Sequence, residues 1–170
     1  MLLDGNGPNA LGRIDRDVLA QSGIKYAMIF EGVNDIGTTD NTTAAQTVTA
    51  DRLIQAFEQM VTRVHTFGIP MFGATITPFG APNSTLQAYS TPERLAARDY
   101  VNNWIRTSGV FDAVIDFDKI VRDPKNPEQL NPLYNSGDYL HPNPAGYAAM
   151  ARAFPLDIFQ EYASGVSSFI

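Results

Sequence analysis

The chain contains no cysteine, and among its 170 residues there are only two histidines and one tryptophan. Without thiols there is no disulfide framework and no thiolate metal site, so stability must come from an ordinary apolar core. Charge is also sparse: 18% of residues are charged, and 12 basic against 18 acidic residues leave a net charge of −6. With no basic stripe to offset phosphates, that balance argues against a nucleic-acid binder. No apolar run approaches the roughly 20 residues that a bilayer-spanning helix needs, so no membrane partner is expected. The opening Met1-Leu-Leu-Asp-Gly lacks the apolar segment of a secretory signal.

What is present is the composition of a folded enzyme-sized domain, with 44% hydrophobic residues. At this length one domain with a sizeable core is expected, spanning residues 1–170. Two triplets, Asn41-Thr-Thr43 and Asn83-Ser-Thr85, fit the N-glycosylation pattern and lie in polar, loop-like stretches. They point to a secreted or extracellular parent.

Helical and extended patterns alternate along the chain. From Asn9 to Gln21, Leu11, Ile14, Val18 and Leu19 recur at helical spacing. Lys25–Glu31 is an apolar run without alternation and reads as a strand buried on both sides. A Thr/Asn-rich loop from Gly37 to Val48 leads to a helix over about Thr49–Phe67, striped by Leu53, Phe57, Met60, Val61 and Val64 and stopped at Gly68. Pro70–Ile76 reads as a second strand, and a Pro/Gly/Ser loop covers Thr77–Ser90. Thr91 and Pro92 open the next helix, which ends at Gly109. Phe111–Phe117 is the third strand. A long proline-bearing loop follows, and Pro144 starts the last long helix. This order implies a parallel sheet with helices on both faces, a three-layer α/β/α sandwich.

In such a sheet, chemistry gathers beyond the carboxyl ends of the strands. Glu31-Gly-Val-Asn-Asp-Ile-Gly37 follows the first strand, and Asp138-Tyr-Leu-His-Pro-Asn-Pro-Ala-Gly-Tyr147 follows the third. Both segments are therefore expected on one rim. His141 carries an imidazole, a side chain able to take and return a proton, and so suits a general base. Asp138, three positions earlier, is close enough to fix its tautomer and stabilise the imidazolium. The Asn34 side chain can donate to a developing oxyanion, and Gly32 lets backbone approach a substrate. Each short motif also has a plain structural reading. An Asp after Gly often bonds nearby amides in a turn, and Asn-Asp after a strand is common turn chemistry. Asp35 reads as structural, and His65 as a complement to a helix C-terminus.

Taken together, Gly32-Val-Asn-Asp35 and Asp138-Tyr-Leu-His141 with its Pro-Asn-Pro-Ala-Gly-Tyr sequel resemble the SGNH (GDSL-type) hydrolase superfamily, over about Gly5–Phe154. The resemblance implies a flavodoxin-like sheet and hydrolysis of carboxylic or acetyl esters, including esters on carbohydrate, without metal or cofactor. Asp138 would be the acid, His141 the base, and Asn34 and Gly32 the oxyanion contacts. The family's first block, a nucleophilic serine in Gly-Asp-Ser, is missing, so the chain reads as an N-terminally truncated member. Gly5 or Gly7 would replace the second block's oxyanion glycine. Ser22, Ser84, Ser90, Ser108 and Ser136 all lack the nucleophile's context.

Two consequences follow from that reading. The Tyr26–Phe30 strand is left as an open edge, which favours a homo-oligomer paired through it. Function divides between a weak or inactive ester hydrolase and a non-catalytic, ligand-binding or self-associating fragment of an esterase.

Overall fold

The computed structural model describes residues 1–5 and 7–167. Helix α1 (Ala10–Ile14) passes into a wider π turn over Asp15–Leu19. The Asn9 side chain caps it by accepting the Gly12 amide at 2.7 Å. Strand β1 (Ala27–Ile29) follows, then the short helix α2 (Val33–Thr38) and the long helix α3 (Thr43–Thr66). Next come β2 (Met71–Ala74), α4 (Pro92–Thr107) and β3 (Ala113–Ile115). Helix α5 (Phe117–Val121), the hairpin strands β4 (Arg122–Asp123) and β5 (Asn126–Leu130), α6 (Pro144–Arg152) and α7 (Ile158–Glu161) complete the order.

The sheet runs β1-β2-β3 with both pairings parallel. Its two faces bury different clusters, and β2 shows why. Met71 joins Leu53, Phe57, Val64 and Val101 on the α3/α4 side. Phe72 and Ala74 join Ile115, Phe117, Met150 and Ile158 on the α6/α7 side. Successive strand side chains point to opposite faces, so a wholly apolar central strand implies helices on both. The architecture is therefore the three-layer α/β/α sandwich. Gly73 matters in this packing: a Cβ there would lie 2.4 Å from the Phe111 ring. None of the helices among the described residues is long and apolar enough to cross a membrane.

Several sequence expectations change in detail. The strand at 25–31 is shorter, and it is not buried on both sides, because Met28 is 45% and Phe30 40% exposed while Ala27 and Ile29 are buried. Ala27 and Ile29 pack into the cluster that α3 contributes to, whereas the opposite face at this edge is covered in part, Tyr26 meeting Phe159 and Phe30 meeting Phe117. The expected loop after β1 contains α2, and α3 begins at Thr43, where Thr42 caps it by accepting the Ala45 amide at 3.2 Å. Thr91 occupies the cap position of α4 but makes no cap bond. Its hydroxyl instead donates to Asn41 Oδ1 at 2.5 Å, tying the starts of α3 and α4 together. The long loop after β3 holds α5 and the β4–β5 hairpin, whose register is Arg122 with Leu130 and Asp123 with Asn126.

His65 does more than meet a helix terminus. Its Nε2 lies 2.8 Å from Asp112 Oδ2, and the same oxygen accepts the Met71 amide at 2.7 Å. The pair links the end of α3 to the entry of β2.

Candidate active site

The two motifs converge. A small cavity of about 160 Å³ is lined by Asn34 from α2, Thr77 from beyond β2, and His141. Phe30, Val33, Leu140, Pro142, Tyr147 and Met150 supply its apolar walls. The topology explains the meeting, since the chain leaves β1 and β2 at the same rim and the Asp138–Asn143 segment folds over it.

Asn34 sits where it does because Gly32 turns the chain. Gly32 has φ +113° and ψ −18°, a conformation open essentially to glycine, and its carbonyl accepts the Ile36 amide at 3.1 Å to start α2. A Cβ on Gly32 would also approach Ile76 Cδ1 at 3.0 Å. Gly32-Val-Asn-Asp is thus the entry of a helix, with Asn34 and Asp35 in its first turn. Asp35 turns elsewhere, accepting the Leu2 amide at 2.7 Å and the Met1 nitrogen at 2.9 Å. The Asn34 carbonyl oxygen accepts the Tyr89 hydroxyl at 3.2 Å.

The Asp138–His141 segment is held from several sides. Asp138 Oδ2 is 2.5 Å from His141 Nδ1. Its Oδ1 accepts the amides of Leu140 at 2.9 Å and His141 at 2.8 Å, and the Ser136 hydroxyl at 2.9 Å. The turn reading and the catalytic reading of Asp138 therefore coexist, one carboxylate oxygen serving each. Burial pushes this carboxyl up, but the bonds from the His141 ring, the His141 and Leu140 amides and Ser136 outweigh it and hold the group well below the usual carboxylate range. Between the two residues, Tyr139 has φ +60°, the one positive φ outside glycine among the described residues. An aromatic residue held there costs roughly 1–2 kcal/mol, which the surrounding bonds must offset. Downstream, Asn143 caps α6 through the Gly146 amide at 3.0 Å. Its Nδ2 donates to the carbonyls of Leu133 at 3.0 Å and Asn135 at 3.2 Å.

With Nδ1 engaged by Asp138, His141 Nε2 is the nitrogen left to exchange protons. Ser136 donates to Asp138, and Ser90 and Ser108 bond the backbone of Ala81 and Val110. Among the described residues, no serine hydroxyl is bonded to His141. Gly5 borders a separate cavity that Asn34 also lines, but its amide already donates to the Gly7 carbonyl at 3.0 Å. No group of three or more His, Asp or Glu side chains among the described residues could hold a metal ion. Sequence reasoning missed Thr77, Tyr147 and Tyr89 as neighbours of the site. Tyr147 ends the second motif without having been given a role there, whereas Thr77 and Tyr89 lie outside both motifs and only the fold brings them to the site.

The sequence profile of the GDSL-like lipase/acylhydrolase family matches residues 3–154. No curated protein matches the chain significantly. Among solved structures, the chain is similar to a lipolytic protein of the G-D-S-L family from Desulfitobacterium hafniense. The two are 20% identical with a TM-score of 0.63, covering 85% of this chain and 70% of that one. A GDSL-like lipase from Bacteroides thetaiotaomicron matches with 17% identity and TM-score 0.63, covering 91% and 69%. At such identities the likeness speaks for the fold alone, but it agrees with a profile match across most of the sequence. The chain belongs to the GDSL-like lipase/acylhydrolase family.

Proposed function

We propose that the chain acts on small carboxylic or acetyl esters, including those carried on carbohydrate, with His141 as general base and acid. The observation that carries the reading is the shared cavity, lined by both a histidine that a carboxylate orients and an asparagine carboxamide. With its Nδ1 proton donated to Asp138, His141 takes a proton at Nε2 from an attacking oxygen. As that oxygen adds to the ester carbon, the carbonyl oxygen gains negative charge, which the Asn34 amide group and backbone near Gly32 stabilise. Collapse of the intermediate expels the alkoxide, which takes the proton back from His141. The cavity's volume suits a short acyl group. Water is the attacking oxygen available to the described chain, and a hydroxyl nucleophile supplied from outside it would use the same base.

A second reading, a binding protein that retains the cleft without turnover, is favoured by one observation: no described serine reaches His141. Hydrolysis of p-nitrophenyl acetate separates the two. Wild type should exceed His141→Ala, and equal rates would remove the histidine from any catalytic role.

The exposed edge of the sheet supports a homo-oligomer as well. Strand β1 is the sheet's edge and has a strand neighbour only in β2 among the described residues. A groove lined by Tyr26, Met28, Ile29 and Val18 runs beside it. An apolar strand with one free side recruits another strand, and a second copy supplies an identical one. Sedimentation velocity should find a dimer that Met28→Lys dissociates; a monodisperse monomer would count against the pairing. Exposure of both Asn41 and Asn83 supports a secreted parent bearing glycans.

A further inference from the structure

The loop between β2 and α4 carries none of the family motifs, yet two of its side chains reach both halves of the site. From the Tyr89 contact with Asn34 and the Gln87 contact with Asp138, we infer that Gln87 and Tyr89 form a positioning clip that holds the oxyanion donor and the acid–base pair in register. The inference rests on the ester-hydrolase reading above and identifies what aims its parts.

Tyr89 bears on Asn34. A carboxamide is planar, with an acceptor at one end and donors at the other, so fixing its oxygen decides where its NH2 points. The Tyr89 hydroxyl donates to Asn34 Oδ1 at 3.2 Å, which leaves the NH2 to serve the cavity. Turned over, the group would present its oxygen to a developing oxyanion and oppose the reaction. The tyrosine ring is itself fixed. It packs edge-on against Phe79 with centroids 6.2 Å apart. It also fits only because residue 37 is glycine, where a Cβ would lie 2.1 Å from a ring carbon.

Gln87 bears on the other half. Its Nε2 donates to the Asp138 carbonyl at 2.8 Å, and its Oε1 accepts the Tyr89 amide at 3.1 Å. One side chain thereby connects the histidine's partner to the tyrosine that aims the asparagine. The loop cannot drift as a whole, because Arg94 donates to the Ala88 carbonyl at 2.8 Å and Ser90 closes on the backbone of Ala81.

The test uses Tyr89→Phe and Gln87→Met in the full chain, with two readouts. In p-nitrophenyl acetate hydrolysis, Tyr89→Phe should lower kcat about tenfold with KM within twofold, a fraction of the roughly 10²–10³-fold effect of losing an oxyanion donor outright. The same change should add nothing in an Asn34→Ala background. In ¹⁵N relaxation of the Asn34 side-chain NH2, both variants should show greater mobility than wild type, with melting temperatures little changed. Wild type exceeding His141→Ala while Tyr89→Phe alters neither readout would overturn the clip and leave the hydrolase reading standing. Wild type equalling His141→Ala would defeat the hydrolase reading; the NH2 relaxation then decides the clip alone, with unchanged mobility in both variants overturning it.

Discussion

Arg98→Met is expected to lower the free energy of unfolding by about 3–5 kcal/mol, read as a reduced midpoint in urea with an unchanged slope. Arg98 is 1% exposed, the largest of the fully buried side chains among the described residues. Its Nε donates to the carbonyls of Ile76 at 3.2 Å and Thr77 at 3.1 Å, where the chain leaves β2 for the site. One terminal nitrogen donates to Asp99 Oδ1 at 3.0 Å and the other to Asp118. Asp118, 3% exposed, also accepts Arg106 at 2.5 Å and Arg122 at 3.4 Å, and its own amide donates to Thr75 Oγ1 at 2.9 Å. Methionine keeps much of the volume, so the measured loss isolates the charge and its donors rather than a cavity. Ile76 keeps Asn102 Nδ2 at 2.8 Å, but the Thr77 carbonyl loses its bond from Arg98. Because Thr77 borders the His141 cavity, the variant should also perturb the site. A loss under about 1 kcal/mol would mean that Arg106 and Arg122 neutralise Asp118 well enough for the ion pair to sit near break-even.

Asp138→Asn should bring turnover down to the level of His141→Ala, because the base loses the partner that sets its tautomer. The substitution is nearly isosteric. An asparagine oxygen in the Oδ1 position still accepts the Leu140 and His141 amides, so the turn and the fold survive. The other end now presents an NH2 to His141 Nδ1, which must become the acceptor. The ring proton then moves to Nε2, the nitrogen required to take one. Tautomer, not geometry, is what changes. The decisive measurement is kcat on p-nitrophenyl acetate alongside a thermal melt. Retained turnover with an unshifted melt would show that Asp138 serves the turn alone.

The local start signals were legible only in part. Pro92 and Pro144 stand at first helical positions as read, but the helix expected from about Thr49 starts at Thr43 behind the Thr42 cap, and Thr91 makes no side-chain cap bond. The elements overlooked were α2, α5, α7 and the β4–β5 hairpin. Helices of four to six residues have too few turns for a periodic stripe, and their stability comes from what they pack against. Met28 and Phe30 show the converse limit, because an apolar run records what a strand is able to bury and not what arrives to cover it.

The same division runs through the site. Spacing alone put Asp138 within reach of His141, since three residues in one turn can close a hydrogen bond with little help from elsewhere. The amino-acid order likewise settled the alternation of helices and strands, because patterning and capping are local. That Asn34 shares a cavity with His141, that Tyr89 bonds its carboxamide, and that Arg98 meets Asp118 were decided only by tertiary packing. Contacts between distant segments depend on how helices and strands stack, and no window of sequence contains that information.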